Sequence, residues 1–228
     1  MLRLAHRGDH ARVPENTLAA FAAALARPEC DGVELDVRAS ADRVAVVLHD
    51  ATLARVQGRP EAAAELTAAA LRRLGVPSLA GVLAACPPAA FLDVELKEDL
   101  GAVALDPLFA ARGLPDGSLS NAVVSAFEPA SLATVRRLAP AVACWLNADD
   151  LAPATLDLAV ALGCRGISAE WRAIDERTAA AVARAGLDLA AFTFTSRRTL
   201  ARLERLGVVA ACVEGAALGG LATRRARC

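Results

Sequence analysis

The chain has 228 residues, is 55% hydrophobic and carries a formal net charge of −1. That length and apolar share suit one large domain with a sizeable core. The near-neutral balance excludes the basic field that nucleic-acid binding needs, and no apolar run is long enough to cross a bilayer. Only 4% of the residues are aromatic and none is Tyr, so the core must be aliphatic, with close Ala contacts between helices. The six cysteines (Cys30, Cys86, Cys144, Cys164, Cys212, Cys228) form no CxxC pair. They read mostly as buried apolar thiols rather than an extracellular framework. Met1 leads almost directly into a strand, so no secretory leader is expected, and Cys228 lies in no prenylation box. A soluble, cytoplasmic protein with no nucleic-acid partner and no stable membrane insertion is expected; the oligomeric state stays open.

Leu2–His6 reads as the first strand and runs into His6-Arg7-Gly8. Pro14-Glu15-Asn16-Thr17 opens a helical pattern over Asn16–Arg27. Gly32–Val37 is the second strand. Val44–Leu48 reads as a further strand, too soon after it for a crossover helix, and Ser40-Ala41-Asp42-Arg43 suits a hairpin turn. Then come His49-Asp50, Gly58-Arg59-Pro60 and two short helical pieces, Glu65–Leu74 and Leu79–Cys86. We read 39–88 as an insertion at the barrel mouth. Phe91–Leu96, Ala122–Ala126, Val142–Asn147, Gly166–Ala169, Asp188–Phe194 and Val208–Val213 are the remaining strands. Helical patterns cover Pro129–Leu138, Pro153–Leu162, Asp175–Ala185 and Arg197–Leu206. Eight strands alternating with helices predict an α/β fold, a (β/α)8 TIM barrel with a small insertion after strand two, residues 1–228 forming a single domain.

In such a barrel the site lies at the C-terminal ends of the strands, where the charged residues of this chain collect. His6 ends strand one, Glu34 and Asp36 end strand two, and Glu95 and Lys97 end strand three. Glu34 and Asp36 are two apart and share a face, opposite Val33, Leu35 and Val37; Asp93, Glu95 and Lys97 share another. Carboxylates on adjacent inner faces repel unless a cation lies between them. Glu34, Asp36 and Glu95 therefore read as ligands of a hard divalent ion, Mg²⁺ or Ca²⁺, with Mn²⁺ a further candidate. The competing reading is a salt-bridge network with Lys97 and Arg7. Every other cation in the chain is Arg, so the single lysine, Lys97, marks a chosen compact ammonium. His6 and His49 flank the cluster and suit general base and general acid; His10 reads as a solvated loop residue. Arg7 presents a planar fork to phosphate oxygens, oriented by Glu15. Arg197, Arg198, Arg202 and Arg205 read as a solvated helix face, and Arg224, Arg225 and Arg227 as a mobile end. Trp145 and Trp171 line the mouth or pack, with equal weight.

The ordered series H-R-G, P-E-N-T, E-L-D-V, H-D-x-x-L-x-R and V-E-L-K resembles the glycerophosphodiester phosphodiesterases. Here it reads His6-Arg7-Gly8, Pro14 to Thr17, Glu34 to Val37, His49-Asp50 with Leu53 and Arg55, and Val94 to Lys97. Val76-Pro77-Ser78-Leu79 with Leu83 is similar to the family's approach to strand three. The resemblance is strong from Leu4 to Lys97 and weaker beyond. It implies a TIM-barrel enzyme cleaving small-molecule glycerophosphodiesters to sn-glycerol 3-phosphate and an alcohol. Glu34, Asp36 and Glu95 would bind the metal, His6 and His49 would be the acid/base pair, and Arg7 and Lys97 would contact phosphate. We assign the acid to His49; the nucleophile is water or the glycerol 2-hydroxyl. Strand seven reads Phe192-Thr193-Phe194-Thr195 where the family has Trp-Thr-Val-Asn, and strand eight ends Val213-Glu214-Gly215 where it has Thr-Asp-Pro. These departures leave the head group open. Two rivals remain: a lysophospholipase D or other phosphodiesterase on the same centre, a lipid substrate predicting Leu53, Val56 and Leu66 as an apolar rim, and a barrel that binds a phosphodiester without cutting it.

Overall fold

A computed structural model describes residues 1–219. Strands β1 (Leu2–His6), β2 (Gly32–Ala39), β4 (Phe91–Leu96), β5 (Ala122–Ala126), β6 (Cys144–Ala148), β7 (Gly166–Glu170), β8 (Asp188–Phe194) and β9 (Ala210–Val213) are joined by parallel pairings around a closed ring, β9 pairing with β1 and β1 with β2. This is the expected (β/α)8 barrel. Strand β3 (Ala45–Val47) lies outside the ring, antiparallel to the end of β2.

Strand alternation sorts the core into two parts. Outward residues such as Val33, Leu35, Val37, Val94 and Val124 are fully buried against the helices. Inward residues form a second, smaller cluster inside the barrel, including Leu4, Val123, Trp145 and Cys212. Trp145 stacks on Phe91 there at 6.0 Å, so it packs rather than lining the mouth. Trp171 packs edge-on against Phe194 at 6.3 Å and under the Arg172 guanidinium. The large, fully buried side chains are almost all Leu and Ile, with Phe21 the exception, as a chain poor in aromatics requires.

Helix starts follow local chemistry. Thr17 caps α1 (Leu18–Leu25), Ser78 caps α4 (Leu79–Ala85), Asp175 caps α8 (Glu176–Arg184) and Ser196 caps α9 (Arg197–Arg205). Pro opens α6 (Pro129–Leu138) and α7 (Pro153–Ala161). The first helix begins at Leu18 rather than Asn16, because Asn16 is left-handed (φ 56°) and its side chain is used elsewhere. Helix α5 (Ala102–Arg112) carries Pro107 in its interior, which hides it from a periodicity reading. The last strand starts at Ala210, because Val208 N–H turns back to Leu203 O at 3.2 Å. Arg202 is not a solvated helix residue: its guanidinium donates to Ile174 O and Trp171 O at 2.7 and 3.1 Å.

Between β2 and β4 the chain does two things. Helices α2 (Ala54–Gln57) and α3 (Ala68–Arg73) enclose a small core of Val46, Leu48, Leu53, Ala63, Leu71 and Val76. Helix α4 instead packs its Leu79, Val82 and Leu83 into the main core, beside α1 and α5. Among the described residues no helix is long and apolar enough to cross a membrane. Arg224, Arg225, Arg227 and Cys228 lie outside the described residues; the other five cysteines are free, four of them buried.

Candidate active site

Register places the carboxylates. His6 pairs with Glu34 across β1 and β2, Glu34 with Asp93 and Asp36 with Glu95 across β2 and β4. Neighbours in a parallel ladder point to the same face, so these side chains meet inside the barrel mouth. His6, Glu34, Asp93 and Glu95 floor a cavity of about 220 Å³ lined also by Arg7, His49, Lys97, Phe127, Asn147, Phe192 and Cys212. Every residue expected to bind metal or phosphate or to move a proton is here, except Asp36, which sits beneath the floor at 1% exposure.

The backbone at the end of β1 is strained to serve this site. Arg7 is left-handed at φ 55°, and Gly8 follows at φ 82° with its α-carbon pressed on α1; a Cβ there would lie 2.6 Å from the Ala20 carbonyl carbon. Only glycine meets both demands. The turn lets Arg7 N–H donate to Glu34 Oε2 at 3.1 Å while its side chain reaches Glu15 at 3.0 Å and comes within 3.1 Å of Asp36 Oδ2. Asn16, the other left-handed residue at the site, donates to Asp36 Oδ2 at 2.8 Å.

Glu34, Asp36 and Glu95 each offer an oxygen within 4.8 Å of the others. Glu34 Oε1 and Asp36 Oδ1 are buried without a hydrogen-bond partner, although Lys97 Nζ stands 3.5 Å from Asp36 Oδ1 and 2.5 Å from Glu95 Oε1. Burial first, then the Asp36, Glu95 and Asp93 charges, push Glu34 well above the usual carboxylate range against the pull of Arg7. Burial and Asp36 likewise raise Glu95, with Lys97 opposing. Asp93 is carried up to about 7 by burial, aided by Glu95 and Asp36, and held back by hydrogen bonds from the Ser125 hydroxyl and the Cys212 thiol. A salt-bridge network alone would not leave two carboxylate oxygens orphaned at the centre. An all-oxygen donor set with unpaired lone pairs fits a hard divalent cation.

Each histidine is backed by a carboxylate. His6 Nδ1 lies 2.6 Å from Glu214 Oε1, with Nε2 turned to within 3.9 Å of Glu34. The hydrogen bond from His6 holds the Glu214 carboxyl below its ordinary range, so it is ionised, accepts only, and fixes the proton on His6 Nδ1. His49 Nδ1 lies 2.7 Å from Asp50 Oδ1. Arg55 donates to Asp50 Oδ2 at 2.6 Å and to both Glu15 oxygens at 2.6 and 2.9 Å. Glu15, which burial alone would raise, is pulled to about 2 by Arg55 and Arg7. One chain of ion pairs thus links Arg7 to His49 through Glu15, Arg55 and Asp50, which gives the arginine of H-D-x-x-L-x-R its purpose.

Sequence reasoning missed Glu214. Glu214 directly follows the last strand, 208 residues from its partner; its place at a strand's C-terminal end was the signal, shared with the charges of strands one to three. His10 lies in the loop after β1, 30% exposed, with its Nε2 3.5 Å from Glu214 Oε1. The apolar rim is also absent from the insertion: Leu53 is fully buried, and Val56 and Leu66 are half-buried. The apolar surface at the mouth belongs instead to Phe127, 43% exposed and edge-on to Phe192 at 5.5 Å.

Comparison with known proteins supplies an independent test. The profile of the Glycerophosphoryl diester phosphodiesterase family matches residues 6–216. A glycerophosphodiester phosphodiesterase of Caldanaerobacter subterraneus is 52% identical over 54 residues, 24% of this chain and 22% of that one. YhdW of Bacillus subtilis is 25% identical over 225 residues, 91% of this chain and 92% of that one. Among solved structures, an Oleispira antarctica phosphodiesterase in complex with the product sn-glycerol-3-phosphate superimposes with a TM-score of 0.81 at 23% identity, covering 93% of this chain and 92% of that one. A glycerophosphodiester phosphodiesterase of Thermotoga maritima does so with a TM-score of 0.80 at 20% identity, covering 96% and 95%.

Proposed function

The chain belongs to the glycerophosphoryl diester phosphodiesterase family, and from that premise we propose that it hydrolyses glycerophosphodiesters to sn-glycerol 3-phosphate and an alcohol. Glu34, Asp36 and Glu95 hold a divalent cation, Mg²⁺ or Ca²⁺, and His6 and His49 carry the protons. The observation that supports this most is the pair of orphaned oxygens, Glu34 Oε1 and Asp36 Oδ1, under a cavity walled by both histidines, Arg7 and Lys97. The activity named for the Caldanaerobacter relative and the product held by the Oleispira enzyme support the same reading.

A bound cation supplies positive charge to the phosphoryl oxygens. Arg7 and Lys97 add to it from the cavity wall. Glu214 holds the Nδ1 proton of His6, which leaves the Nε2 lone pair free to accept a proton from the attacking hydroxyl, of water or of the glycerol 2-position. Asp50 accepts the hydrogen bond from His49 Nδ1–H and, staying ionised, stabilises its imidazolium, whose Nε2–H is then available to the leaving alcohol oxygen. Arg55 bonds both Asp50 and Glu15, so one guanidinium holds the carboxylates behind the acid histidine and the phosphate-binding arginine. Phe127 and Phe192 offer apolar contact to parts of the substrate beyond the phosphate.

The test is release of glycerol 3-phosphate from glycerophosphocholine and glycerophosphoethanolamine by metal-stripped protein supplied with Mg²⁺, Ca²⁺ or Mn²⁺. Metal-dependent release that Glu34→Ala abolishes is expected. Binding of the diesters without turnover in any metal would sink the reading.

A further inference from the structure

We propose that His6, His10 and Glu214 form a second metal site, for a borderline ion such as Zn²⁺, and that filling it switches His6 off as a base. The inhibitory half of this rests on the reading of His6 given above; the binding half does not.

The geometry is that of a two-histidine, one-carboxylate set. The donor atoms lie within 4.8 Å of one another, with His6 Nδ1 2.6 Å and His10 Nε2 3.5 Å from the same Glu214 oxygen. Tetrahedral Zn²⁺ with bonds of about 2.0 Å spaces its ligands roughly 3.3 Å apart. Glu214 and His6 need to part by well under ~1 Å to meet that spacing. His10 is placed rather than loose. Asp9 beside it is gripped twice by Arg27, at 2.8 and 2.5 Å, and its backbone N–H bonds Ala20 O at 2.9 Å. A separate cavity of about 200 Å³, lined by Asp9, His10, Thr195 and Glu214, borders two of the three side chains and has room for a water as fourth ligand. Two imidazoles disfavour Mg²⁺ and Ca²⁺, which choose oxygen, and favour the Zn²⁺ end of the series. The two sites are thus sorted by donor chemistry: oxygens on one side of His6, imidazoles on the other.

The consequence is a tautomer switch. In the free protein the proton of neutral His6 sits on Nδ1, held by Glu214, and Nε2 has the lone pair. Zn²⁺ bonds through the Nδ1 lone pair, so the same proton must move to Nε2. No proton is gained or lost overall; Glu214 exchanges its hydrogen bond for a metal bond. Nε2 then donates instead of accepting, and the base is lost while the fold and the carboxylate site are intact.

The experiment measures Zn²⁺ binding to the full chain by competition with a chromophoric chelator under saturating Mg²⁺. Wild type is compared with His10→Ala and, as a size-preserving control, His10→Gln. Imidazole ¹⁵N spectra report the His6 tautomer, and each protein's turnover is referred to its own value without zinc. A Zn²⁺ affinity at least ~10-fold weaker in both variants, with the His6 proton moving to Nε2 in wild type only, is the expected result. Equal affinity in all three proteins, or displacement of the ion by Mg²⁺, overturns the proposal. If no metal gives turnover yet zinc still binds through His10, the site stands and the phosphodiesterase reading falls separately.

Discussion

Asp93→Asn should stabilise the metal-free protein at neutral pH and leave it unchanged in acid. Asp93 is 2% exposed and its carboxyl is carried from 3.8 to about 7, chiefly by burial. In the unfolded chain the proton leaves near 3.8; in the folded chain it stays until about 7. Between those values the folded state holds more protons, so its stability falls as pH rises. At about 1.4 kcal/mol per tenfold change in proton affinity, the full penalty above pH 7 is about 4 kcal/mol. Asn keeps the shape and can still accept the 2.6 Å hydrogen bond from Ser125 but cannot ionise. Urea unfolding of metal-stripped wild type and Asp93→Asn, followed by circular dichroism, should give a gain of about 4 kcal/mol at pH 8 that shrinks toward zero by pH 4. A gain of equal size at both pH values, or a loss at pH 8, would refute the assignment of a buried carboxylate strained by its neighbours.

The other expectations follow from the same geometry. His6→Ala and His49→Ala should each lower turnover by roughly 10²–10⁴-fold without changing the Mg²⁺ affinity of the carboxylate site; if each leaves turnover intact, the acid/base mechanism is wrong. Glu15→Gln breaks the link between Arg7 and Arg55 and should cost about 10²-fold in turnover. Its stability loss should also be pH-dependent. A carboxylate depressed from 4.5 to about 2 stabilises fully above pH 4.5, and this contribution fades as pH falls toward 2, so wild type and variant should converge there in acid unfolding curves. Mg²⁺ at ~100 times its Kd should stabilise wild type by about 2.7 kcal/mol. That is roughly 5–10 °C in Tm for a chain of this size; the Glu34→Gln/Asp36→Asn protein should show no such shift.

Much of the site was legible because strand geometry is local. A period of two puts Glu34 with Asp36, and Asp93 with Glu95 and Lys97, on single faces whatever the fold around them. Eight apolar runs, the first three of which end in His6, Glu34 with Asp36, and Glu95 with Lys97, then leave few places for those charges except one mouth of a barrel. Helix starts were legible where a side chain caps its own helix, as at Ser78 and Asp175, and lost where it leaves for the site, as at Asn16. Only the tertiary structure decided what the faces meet. The pairing of Asp36 with Glu95 is a matter of inter-strand register, and closure of β9 onto β1 brings Glu214 to His6. The same closure recruits His10, a loop residue on the sequence alone, and the hairpin after β2 delivers His49 with Asp50. Such contacts arise from many weak, long-range packing terms that fix the barrel as a whole, and no residue type within a local window carries their signature.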